Sequence, residues 1–148
     1  MPEITLRNFT PDKACYEIER RAHEHPWSFS VFSQSQGPAY YNRRLTIDGE
    51  TIGYIICQQV LDELTIFNVA VDPKHQGHGF SHYLMKDALN YAHQNKMSVF
   101  LEVRASNTTA INLYRTYGFS ELAKRSDYYK THNGYEDALV MKWQSEQN

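Results

Sequence analysis

The sequence predicts a single-domain α/β (α+β) fold, a mixed and mostly antiparallel sheet flanked by helices in the order βααβββαβαββ. Three observations carry that prediction. Two helical patterns are followed by three strand-like runs joined through tight turns. The third run, Leu64 to Val71, is almost continuously apolar and feeds a glycine-bearing loop and a helix, the pattern of a central strand entering a crossover. The chain has 148 residues, 41% apolar and 22% charged, which suffices for one core without disulfide staples.

Ile4 to Phe9 alternates apolar and polar residues and reads as a short first strand. Pro11 suits the first turn of a helix reaching about His23, with Ala14, Ile18, Arg21 and Ala22 at helical spacing. Pro26-Trp27 ends it, and Ser28 is an N-cap for a short helix through Phe32. Tyr40 to Ile47 and Thr51 to Val60 pair across Asp48-Gly49, residues that tolerate positive φ. Asp62-Glu63 makes the next connection, into Leu64 to Val71. A helix follows from about Gly79 to Gln94, with Phe80, Tyr83, Leu84, Ala88, Leu89 and Ala92 on one face. Ser98 to Val103 is a further buried strand. Asn107 caps a helix that places Ala110, Ile111, Tyr114 and Tyr117 on one side, with Gly118 at C′ and Phe119 packing back. Ser120 to Tyr129 and Glu136 to Trp143 close the fold as a pair joined around Asn133-Gly134.

Composition excludes several classes. Fifteen basic against seventeen acidic residues give a net charge of −2, without the basic excess of a dedicated nucleic-acid binder. Apolar runs are far shorter than the roughly 20 residues needed to span a bilayer. The N-terminal residues lack the basic and apolar regions of a signal peptide. Cys15 and Cys57 are too few for a disulfide framework and lack metal or redox spacing, so both are expected as reduced thiols in a cytoplasmic protein. A monomer is expected at this size.

Three segments are candidates for chemistry. Val69 to His82 joins a buried strand to a helix through Gly77 and Gly79. Free backbone N–H groups and the helix dipole at such a turn suit a pyrophosphate; the other reading is an ordinary strand-to-helix turn. The glycine spacing fits neither a P-loop nor a dinucleotide fingerprint. His75, His78 and His82 in the same segment lack a completing ligand at metal-site spacing, and a solvated surface explains them. In Val99 to Asn107, Glu102 interrupts an apolar strand. Desolvation there favours a general base; alternatively Glu102 pairs with Arg104 or Arg125 as a structural contact. Tyr114 lies on the apolar face of its helix, where its hydroxyl either meets a ligand or belongs to the core.

Together these segments resemble the GNAT N-acetyltransferase superfamily, over about Ile4 to Met141. Its acetyl-CoA signature, Gln/Arg-x-x-Gly-x-Gly/Ala, appears as Gln76-Gly77-His78-Gly79-Phe80-Ser81, with Ser81 where Gly or Ala is usual. Serine is small and keeps its N–H, so binding is expected to survive. A nearer resemblance is to the RimI-type ribosomal-protein-alanine acetyltransferases. It is carried by Arg21 to Trp27, Val60 to Glu63, Phe67 to Pro73, Leu101 to Asn107, Tyr128-Tyr129 and Glu136 to Ala138. The resemblance implies acetyl transfer from acetyl-CoA to the N-terminal alanine of a ribosomal protein, without metal. It implies Glu102 as general base and Tyr114 as general acid. It implies cofactor contacts from Val69, Ala70, Val71, Gly77, His78, Gly79, Phe80, Ser81, His82 and Asn107. The acceptor groove is expected near Pro26-Trp27, Asp62-Glu63 and Tyr128 to Asn133. Other readings are an acetyltransferase acting on other N-termini, lysines or a small amine, and a CoA-binding module without catalysis.

Overall fold

The computed structural model describes residues 2–145. Its elements are β1 (Ile4–Asn8), α1 (Lys13–Ala22), α2 (Phe29–Gln34), β2 (Tyr40–Ile47), β3 (Glu50–Val60), β4 (Glu63–Val71), α3 (Ser81–Gln94), β5 (Ser98–Arg104), α4 (Thr108–Thr116), β6 (Ser120–Thr131) and β7 (Gly134–Gln144). A 3-10 turn, Pro73–His75, lies between β4 and α3. The expected order therefore holds.

Local chemistry explains most boundaries. Asp48 and Gly49 both take positive φ, 49° and 85°, which matches the twist of the β2–β3 hairpin. Asp12, not Pro11, starts α1: its side chain accepts the Cys15 N–H at 2.9 Å, so Pro11 precedes the helix. The buried face of α1 is also rotated from the expected one. Cys15, Ile18 and Glu19 point inward, while Ala14 and Arg21 are exposed. Helix α3 begins at Ser81 rather than Gly79, because Gly77 and Gly79 sit at φ 87° and 75° in the preceding loop. Met85 joins its buried face, and Tyr83 is exposed. Asn107 caps α4 by accepting the Ala110 N–H at 3.2 Å. The end of α4 is a Schellman motif: Gly118 N–H donates to the Arg115 carbonyl and Phe119 N–H to that of Tyr114.

The seven strands form one sheet in the order β1-β2-β3-β4-β5-β7-β6. All neighbours are antiparallel except β4 and β5. Alternation along β3 divides the core in two. Ile55 and Cys57 join Leu84, Met85, Ala88 and Ile111 beneath α3 and α4. Tyr54 and Ile56 join Cys15, Ile18 and Phe32 beneath α1 and α2.

Two irregularities prepare the site. The parallel pairing of β4 with β5 runs from Glu63↔Ser98 to Ile66↔Leu101 and then stops. Beyond it, Phe67–Val71 and Glu102–Arg104 part. At the same level β4 carries a bulge: Cys57 faces Ile66 and Ile56 faces Asn68, which leaves Phe67 as the extra residue. Phe67 is therefore 43% exposed, against the expectation that β4 is buried on both faces.

Candidate active site

The gap between the parted strands is a cleft of about 310 Å³. Val69 from β4, Glu102 from β5, Asn107 from the α4 cap and Tyr114 from α4 all line it. Residues far apart in sequence meet there because the sheet loses a hydrogen-bonded neighbour at this point. A ligand can lie against exposed strand backbone that would otherwise pair.

Glu102 stands on the face of β5 opposite to buried Leu101 and Val103. Its side chain keeps 27% exposure, so it is less desolvated than an apolar strand interior implies. Glu102 lines the cleft, and its Oε1 is 3.2 Å from Arg125 Nε. Arg104, the other candidate partner, instead pairs with Glu136 at 3.0 Å and lies 4.3 Å over the Tyr129 ring.

Tyr114 packs on Phe119, with ring centroids 5.9 Å apart, and its hydroxyl has no protein partner among the described residues. Burial, with the nearby phenols of Tyr117 and Tyr129, pushes its pKa above the usual 10.0. Tyr114 is thus a protonated phenol facing a cleft at neutral pH. Tyr129 also lines the cleft and is likewise raised, by burial and by the Glu102 carboxylate.

At the far end of β4 the loop Gln76–Ser81 offers the second half of a site. Among the described residues, the N–H groups of Gly77, His78, Gly79, Phe80 and Ser81 donate to no protein acceptor. The α3 N-terminus has no side-chain cap either. Five free donors at a helix start form an anion cradle. Open space surrounds the Cβ position of Gly77, so a ligand can approach its backbone closely. The Gln76 amide donates to the Val71 carbonyl at 3.1 Å and fixes the loop against the strand. Ala70 and Val71 bury their side chains in the two cores, which leaves only their backbone for a ligand. The histidines diverge: His75 lies 3.9 Å from Glu50, while His82 Nδ1 lies 2.5 Å from the Tyr117 hydroxyl.

One part of the cleft escaped the sequence reading. Glu19 on α1 is 1% exposed yet reaches the cleft wall. Its carboxylate accepts from the Tyr54 hydroxyl at 2.6 Å, the Asn68 amide at 2.8 Å and the Trp27 N–H at 2.9 Å. His23 Nε2 lies 2.9 Å from Asn68 Oδ1. This network ties α1, the segment after it and the β4 bulge together. An acidic residue four positions after Cys15, on the apolar face of a helix, was the available signal.

An opened sheet edge beside a donor-rich loop makes a cleft built to hold a ligand. The family model described as the Acetyltransferase (GNAT) family matches residues 6–119. The chain belongs to the GNAT acetyltransferase family and is an N-acetyltransferase. Over 142 residues it is 44% identical to the ribosomal protein bS18-alanine N-acetyltransferase of Escherichia coli, covering 95% of this chain and 96% of that protein. The enzyme of the same name from Haemophilus influenzae is 43% identical over 128 residues, 85% of this chain and 87% of the relative. The crystal structure of the Escherichia coli ribosomal-protein-alanine N-acetyltransferase superposes with a TM-score of 0.91 at 40% identity. That match covers 100% of this chain and 96% of that one.

Proposed function

We propose that this chain transfers the acetyl group of acetyl-CoA directly to the α-amino group of an N-terminal alanine on a small-subunit ribosomal protein. The observation that carries the reading is the meeting of Glu102, Tyr114 and the free edge of β4 in one cleft. The relatives' shared name supports the acceptor class. The donor set of the loop supports acetyl-CoA: the N–H groups of Gly77 to Ser81 would hold its pyrophosphate, and the thioester it supplies would lie between β4 and β5.

The roles follow from chemistry at each atom. An α-amino group has a pKa of about 7.7–8.0, so roughly a tenth is neutral at pH 7. Glu102 takes the proton from the remaining ammonium. The neutral nitrogen forms the new N–C bond at the acetyl carbonyl carbon. A backbone N–H of Val69 to Val71 hydrogen-bonds the carbonyl oxygen as charge develops on it. The C–S bond breaks, and the Tyr114 phenol gives its proton to the departing sulfur. The second proton of the attacking nitrogen leaves as the amide forms and restores the Tyr114 phenol through solvent, and Glu102 releases its proton to solvent. Cys15 and Cys57 are fully buried, with thiols pushed up to about 12 and higher still, and take no part.

Turnover of acetyl-CoA with an alanine-first peptide, followed by fragmentation mass spectrometry, tests the reading. The acetyl group is expected on the first residue. Acetyl found only on lysine side chains, or no turnover, contradicts it.

A further inference from the structure

Arg125 stands in an unusual position. It is the last residue of β6 in register before a break: Arg125 pairs with Ala138, and pairing resumes only at Tyr129↔Glu136. Ser126, Asp127 and Tyr128 bulge outward in between, with Asp127 at φ 53° and its N–H held by the Asp137 carboxylate at 3.0 Å. A strand bulge re-aims the side chains beside it. Here the guanidinium lands on Glu102, Nε to Oε1 3.2 Å, although the arginine side chain is 55% exposed. The guanidinium carbon Cζ also lies 5.3 Å from the centroid of the Tyr128 ring, so the same group meets both Glu102 and Tyr128.

The contact has a consequence for the acceptor. Glu102 lines the cleft, so the carboxylate that Arg125 holds is the one an incoming α-ammonium would meet. We propose that Arg125 is a charge placeholder for the acceptor: it neutralises Glu102 in the empty cleft and yields that carboxylate to the substrate's α-ammonium. This rests on Glu102 being the group that meets the amine. Entry of the acceptor is then an exchange of one cation for another. An ammonium meets a carboxylate whose charge it can balance. A neutral group would have to separate the existing pair without replacing it. The displaced guanidinium keeps a resting place over Tyr128. Arg125 is thereby a specificity-determining residue, acting on acceptor affinity rather than on the chemical step.

An exposed ion pair is a modest competitor, so its removal tightens acceptor binding by about two- to fivefold. The test is calorimetric titration of an alanine-first peptide with a free α-amine into the enzyme saturated with CoA. Arg125→Gln is expected to lower the peptide Kd by that factor, and Arg125→Lys, which keeps the cation, to restore the wild-type value. In a Glu102→Gln background the Arg125→Gln effect should vanish, because the pair no longer exists. A Kd unchanged or raised by Arg125→Gln overturns the proposal, as does an effect that persists without Glu102. The underlying role of Glu102 is read separately. Full kcat retained by Glu102→Gln would refute the base, whatever Arg125 does to the peptide Kd.

Discussion

At the scale of single residues, the proposed chemistry rests on two side chains with different needs. Tyr114 must stay protonated, and burial raises its pKa above 10.0, so its acid form persists through the physiological range. Activity therefore loses no proton donor on the alkaline side below about pH 10. Any rise of rate towards pH 8 reports deprotonation of the acceptor amine instead. Tyr114→Phe and Glu102→Gln are each expected to lower kcat by about 10²–10⁴-fold, measured by thiol release at saturating acetyl-CoA. Unchanged kcat in both variants would remove them from the mechanism. Glu102 and Tyr114 stand out in the sequence because each is a polar group at an apolar position, and both line the cleft. Glu19 carries the same signal, but the sequence does not show that its three donors come from the segment after α1, β3 and β4. Glu19→Ala leaves three buried donors unpaired, and a stability loss of about 3 kcal/mol is expected from urea denaturation. Glu19→Gln, which keeps a carbonyl acceptor, should lose less.

At the scale of elements, the site depends on how β3, β4 and β5 meet. Periodicity located these strands well, since buried strands announce themselves as apolar runs. It could not show where β4 leaves β5, because register is a property of two strands and not of one. Nor could it show the bulge at Phe67, which places a large ring in the open rather than in the core. Close packing of β3 on β4 has its own requirement. A Cβ on Gly53 would lie 2.6 Å from the Ala70 carbonyl oxygen, and backbone cannot move aside cheaply. Gly53→Ala is expected to cost about 1–3 kcal/mol in thermal or chemical denaturation. Because Ala70 lies beside the cleft-lining Val69, the same substitution should also raise the KM for acetyl-CoA.

At the scale of the whole molecule, the fold order and the two-faced sheet were legible, and the family comparisons agree with the fold. Apart from Glu102–Arg125, the ion pairs that join distant parts were not. Arg21 on α1 reaches Asp72 just after β4 at 2.8 Å. Burial alone would raise the Asp72 carboxyl, but the Arg21 guanidinium and the Lys74 N–H bring it below 3.8. The folded state thus holds this proton more weakly than the unfolded chain. Its contribution is present above about pH 3.9 and is lost as pH falls through the lowered value. Denaturation at pH 3 and pH 6 should show that Asp72→Asn reduces this acid-side dependence. The proposed acceptor, an N-terminal alanine, is tested most directly with a peptide panel. Initial rates with acetyl-CoA are measured on peptides differing only in their first residue, beside an N-terminally blocked peptide with an internal lysine. A strong preference for alanine first and a negligible rate on the blocked peptide are expected. Equal rates across first residues, or comparable rates on the internal lysine, would contradict it.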